Sequence, residues 1–167
     1  MSKRSTVTVR EAPVKTVASV SGAFKVHAET FAIETHERVE LIDLTERVMA
    51  LVRNQHVHEG IVSLCPMHTT CSVLLNENQA ALGADIKAFL ERLVARDAPW
   101  LHNDPAHSDC DRVNADSHLR AMILGHSLTL QVSGGELVLG QWQRVLLAEL
   151  DGPRTRTLRL SVMGVGQ

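Results

Sequence analysis

Apolar and polar side chains alternate with a period of two near both ends of the chain, and this limits the possible folds more than any other feature. Phe24, Val26 and Ala28 alternate with Lys25 and His27; Phe31 and Ile33 then alternate with Ala32 and Glu34, across a phase break near Thr30. Leu128, Leu130 and Val132 repeat the pattern, and Leu158, Leu160 and Val162 alternate with Thr157, Arg159 and Ser161. Successive side chains of an extended chain point to opposite faces, so each stretch reads as a strand with one face buried. Ser133-Gly134-Gly135 turns the chain back into Glu136–Leu139, and Asp151-Gly152-Pro153-Arg154 turns a strand over 143–150 into the last one.

Shorter strands and helices fill the middle. A second strand starts at Val39 and Leu41, after a turn at His36-Glu37-Arg38. Ile61–Cys65 and Cys71–Leu75 are short apolar runs, separated by the turn Pro66-Met67-His68-Thr69-Thr70. Thr45 is placed to cap a helix carrying Val48, Leu51 and Val52. A helix over 78–94 carries Ile86, Phe89, Leu90 and Leu93 on one stripe, and a shorter one runs from Asn114 to Leu124 before Gly125. Residues 95–113 form a loop rich in Asp, His, Asn and Pro, a length that usually signals function when ordered. Helices set apart from mostly antiparallel strands define the α+β class. Residues 1–22, polar and punctuated by Pro13 and Gly22, read as an N-terminal extension, with or without an added strand, and residues 23–167 as a single domain.

Composition removes several function classes. Seventeen basic against nineteen acidic residues give a net charge of −2, which leaves no basic excess for nucleic acid. Aromatic residues are 3% with no Tyr, too few for a base-stacking platform. No run approaches the ~18–20 apolar residues of a membrane span, and no apolar segment follows the early basic residues as a secretory signal requires. Three cysteines at irregular spacing make no disulfide framework and read as reduced thiols of a cytoplasmic protein.

The chain has no Gly-rich phosphate loop, Rossmann glycine set, Cys-x-x-Cys or His-Glu-x-x-His. It does have nine histidines. His27, His36, His56 and His58 read as surface residues. His68, His102 and His118 each stand beside polar residues at an element boundary. Three imidazoles suffice for zinc with one position left open, but they serve equally as neutral donors or as cations for an anionic substrate. Cys71, in an apolar strand, reads as core, whereas Cys110, in the polar loop, is the more exposed candidate thiol.

One ordered set of short blocks goes further. It consists of His68-Thr69-Thr70, Asn76-Glu77-Asn78, Asp97-Ala98-Pro99-Trp100 with His102, Asn114-Ala115 through His118-Leu119, Leu124-Gly125, Gly140-Gln141-Trp142-Gln143, Glu149 and Gly152-Pro153-Arg154. In these blocks the chain resembles the YjbQ family, the secondary thiamine-phosphate synthase enzymes. The resemblance implies an α+β sandwich that assembles as a homotrimer, with a site near a subunit boundary. It implies catalytic roles for His68, Glu77 and Arg154, and substrate binding by Thr69, Thr70, Asn76, Gln143 and Glu149. It also implies a divalent metal, zinc or magnesium, on His68, His102 and His118. The small phosphorylated substrate would be a hydroxymethylpyrimidine pyrophosphate, joined to a thiazole phosphate with release of pyrophosphate as a main or a side activity. A non-catalytic trimeric metal- or anion-binding protein and a metal-dependent hydrolase are the rival expectations. The chain departs from the family between His102 and His118, where the stretch is long and Arg112-Val113 replaces acidic residues; Asp109 and Asp111 are the nearest substitutes.

Overall fold

The computed structural model describes residues 19–166, so the expected N-terminal extension lies outside the described residues as far as residue 18. The described elements, in chain order, are β1 (Ala23–Glu34), β2 (Glu40–Asp43), α1 (Thr45–Asn54), β3 (Glu59–Pro66), β4 (Cys71–Asn76), α2 (Ala80–Leu93), α3 (Ala115–Leu124), β5 (Leu128–Ser133), β6 (Glu136–Leu137), β7 (Arg144–Glu149) and β8 (Thr155–Gly166). All the strand pairs are antiparallel. One sheet has the order β1-β8-β3-β5-β6 and the other β2-β7-β4, which gives the α+β class expected from the strand and helix pattern and the sandwich that the resemblance implies.

The alternation explains the packing. Leu158, Leu160 and Val162 of β8 face inward with Val62 and Leu64 of β3, and meet Val73 of β4 and Val145 and Leu147 of β7. Val48, Met49 and Val52 of α1 join this core. Strand β7 is buried along its whole length because it has a layer on each side. Its Ala148, with Leu150 beyond its end, packs against Leu90 of α2 and Ala121 of α3. Among the described residues, no helix is long and apolar enough to cross a membrane.

Three local expectations are corrected. β1 pairs with β8 in unbroken register from Ala23–Gly166 to Glu34–Thr155, so there is no phase break at Thr30. The apolar set changes face instead: Phe31 is buried, whereas Phe24 and Val26 are 69% and 64% exposed. Thr45 is the first residue of α1 rather than its cap; its backbone N–H donates to Asp43 Oδ1 at 2.8 Å, and its hydroxyl accepts from the Val145 N–H at 2.9 Å. On α2 only Leu90 of the expected stripe is fully buried; Ile86 is partly buried against the same cluster, and Phe89 and Leu93 are exposed because no described residue packs over them.

Candidate functional site

Four segments meet at one end of the sandwich: the β3–β4 connection, the loop 95–113 with the first turn of α3, the β7–β8 turn, and the start of β8. They enclose an open pocket of about 480 Å³ lined by His68, His102 and His118 together with Thr69, Thr70, Cys110, Arg112, Asn114, Arg154 and Arg156.

His68 is placed by the sheet itself. Pro66 ends β3, the Met67 N–H donates to the Thr157 carbonyl at 2.9 Å, and the Thr157 N–H donates to His68 Nε2 at 2.8 Å. The ring nitrogen thus stands in for the next backbone acceptor of the ladder. With Nε2 accepting, the proton of the neutral ring is on Nδ1, which is left as a donor. Burial lowers the His68 pKa and the charge of Arg156 lowers it further, against Glu149, so the ring is held neutral.

His102 and His118 pack edge to face, with ring centroids 5.0 Å apart. The amide Nδ2 of Asn114 donates to Asp151 Oδ2 at 2.8 Å, which leaves its Oδ1 to accept from His102 Nε2 at 3.3 Å. Burial and the neighbouring His102 lower the His118 pKa, against Asp151 and Asp116. Below them, Arg156 is 1% exposed; it donates to both oxygens of Glu149, at 2.6 and 2.5 Å, and to the Thr70 hydroxyl at 3.0 Å. Burial pushes the Cys71 thiol up to about 11, so it carries no thiolate at neutral pH.

The three histidines share the pocket. His68 Nε2 accepts from the backbone, whereas His102, with Nε2 bonded to Asn114 Oδ1, keeps its Nδ1 lone pair for a ligand. Among the described residues, no three His, Cys, Asp or Glu side chains are grouped so as to hold a metal ion.

Other expected site residues lie elsewhere. Asn76 ends β4 and accepts the Glu77 N–H on Oδ1 at 2.9 Å; Glu77 lines a separate pocket of about 370 Å³ beside α2. Gln143 is exposed on its turn, and its Oε1 accepts the Gly140 N–H at 2.8 Å. Glu149 is fully buried, accepting from Arg156, the Thr35 hydroxyl and the backbone N–H groups of Leu150 and Asp151; it supports the floor of the pocket from behind. Asp109 and Asp111 are exposed and do not line the pocket. Arg156 is a residue that sequence reasoning missed. The signal was available: it falls in phase with Leu158, Leu160 and Val162, and an arginine on the inward face of a strand needs a buried partner.

Two antiparallel sheets and their helices, with a pocket of histidines and arginines at one end, define the class of protein. The family profile described as UPF0047 protein YjbQ-like matches residues 29–165, and the chain belongs to that family. A UPF0047 protein of Methanothermobacter thermautotrophicus is 41% identical over 140 residues, 84% of this chain and 94% of the relative. The UPF0047 protein YugU of Bacillus subtilis is 33% identical over 136 residues, 81% of this chain and 98% of the relative. Among solved structures, a YbjQ-like protein of unknown function from Sulfolobus solfataricus superimposes with a TM-score of 0.79 at 31% identity, over 85% of this chain and 99% of that one. A hypothetical protein from Aeropyrum pernix gives 0.76 at 36%, over 83% and 98%.

Proposed function

We propose that this chain is a transferase of the thiamine-phosphate synthase kind, joining a hydroxymethylpyrimidine pyrophosphate to a thiazole phosphate in the His68–Arg154 pocket. The observation that carries the reading is the convergence there of Arg112, Arg154 and the Nδ1–H side of a neutral His68. In the reaction the bond between the pyrimidine methylene carbon and the pyrophosphate oxygen breaks, and its electron pair leaves with pyrophosphate. The thiazole nitrogen then gives its lone pair to that carbon, so the step needs no general base. What it needs is donors and cations set around the departing oxygens before they gain charge. Arg112 and Arg154 are forks suited to phosphate oxygens, and His68 and the Thr69 and Thr70 hydroxyls add neutral donors. A divalent ion, zinc or magnesium, would supply further neutralisation when bound on the pyrophosphate. The neutral Cys71 thiol has no role in the step. The reading includes a cytoplasmic homotrimer.

A non-catalytic anion-binding protein would use the same cations, so turnover is the deciding measurement. The full chain, given both substrates, should form thiamine phosphate and pyrophosphate in equal amounts. Folded His68→Ala should lose at least about tenfold in rate, or about 1.4 kcal/mol of transition-state stabilisation, while Cys110→Ala keeps its rate. Full activity in His68→Ala, or a dead but folded Cys110→Ala, overturns this assignment. Pyrophosphate binding without product in the unaltered chain gives the pocket to the non-catalytic reading.

A further inference from the structure

A second pocket, of about 360 Å³, adjoins the histidine pocket, with Arg112, Asn114 and Arg154 lining both. Arg38 and Arg96 also line it, so four arginines and a single carboxylate, Asp151, contribute to its lining. That carboxylate is already saturated. Its Oδ1 accepts from Arg38 at 3.1 Å, and its Oδ2 accepts from Arg112 at 3.2 Å, Arg154 at 2.6 Å and Asn114 at 2.8 Å. Arg38 also donates to Asp116 at 3.0 Å, a buried carboxylate that Arg120 holds from behind at 3.3 Å. Arg96 is exposed at the rim, and its guanidinium has no hydrogen-bond or ion-pair partner among the described residues.

Asp151 alone would account for Arg38, Arg112 and Arg154 as a structural clamp. It does not account for Arg96, nor for the surplus of arginines over carboxylates among the residues that line this open space. Guanidinium forks gathered in this way match the oxygens of a phosphoryl dianion. We propose that the arginine pocket is a second anion subsite, taking the phosphoryl group of a phosphate monoester while the histidine pocket takes a pyrophosphate. The assignment of the monoester to a second substrate rests on the transferase reading above; the anion binding does not. Arg112 and Arg154, common to both pockets, would then hold the two anions side by side and bring their organic portions together.

The test uses Arg96→Ala and Arg96→Lys in the full chain, since an exposed, unpaired side chain can be exchanged without disturbing the fold. Titration calorimetry with inorganic phosphate, and steady-state kinetics with each substrate varied, give the readouts. Arg96→Ala should weaken phosphate binding and raise KM for the thiazole phosphate by at least about fivefold, with KM for the pyrophosphate substrate within about twofold; Arg96→Lys should recover most of the loss. An unaltered chain that binds no phosphate at millimolar concentration, or an Arg96→Ala protein indistinguishable from it, overturns the subsite. If no transfer is seen but phosphate binding depends on Arg96, the subsite stands and the reaction falls. If transfer proceeds and ignores Arg96, the reaction stands and the subsite falls.

Discussion

His68 illustrates how one side chain can serve the fold and the pocket with its two nitrogens. Nε2 closes the ladder between β3 and β8, which turns Nδ1–H toward the open space. This double use makes acid costly. Burial, first of all, depresses the pKa of both His68 and His118, so near neutrality the folded chain binds fewer protons than the unfolded one. The stability that depends on these rings is complete above the ordinary imidazole value of about 6.5 and is lost as pH falls through the depressed values. Thermal melts should therefore move to lower temperature between pH 7.5 and pH 5, by less in a folded His118→Gln chain. A melting temperature flat over that window, or one that rises in acid, would contradict the neutral assignment.

At the scale of elements, β7 and β8 are joined by a buried ion pair as well as by their turn. Glu149 and Arg156 are 0% and 1% exposed, and the guanidinium also holds the Thr70 hydroxyl at the pocket edge. Removing one partner leaves a buried charge uncompensated. Glu149→Gln should cost about 3 kcal/mol or more in urea unfolding, with the histidine pocket disturbed through Arg156. A change below about 1 kcal/mol would mean that water reaches the pair. The strands around it were legible in the sequence because one-sided burial leaves a period of two. β1 misled because its apolar residues change face while its register does not; a lone strand cannot reveal which of its faces the partner strands will cover. The stripe on α2 misled for a related reason. Helical spacing identifies an apolar face, but not whether anything in the same chain packs on all of it.

The whole molecule joins residues that spacing could not. His68, His102, His118 and Arg154 converge because three separate connections end at the same edge of the sandwich, and the ordered blocks had marked these connections as belonging together. Glu77 and Asn76 form one of the same ordered blocks but stand at the other end of β4, a distance that only the run of the strand determines. Phe24, Val26 and Ile61 on one sheet, and Phe89 and Leu93 on α2, are large apolar side chains left exposed. In the homotrimer proposed above they would be covered by neighbouring copies. Light scattering at micromolar concentration should then give three times the 18.3 kDa chain mass; a monomer would contradict it. Whether the histidine and arginine side chains at this edge form an anion site is decided by a crystal structure of the full chain with pyrophosphate. Pyrophosphate oxygens should lie within hydrogen-bond distance of His68 Nδ1 and of the Arg112 and Arg154 guanidinium groups. Pyrophosphate bound only elsewhere, or His68 turned so that Nε2 leaves the Thr157 N–H, would contradict it.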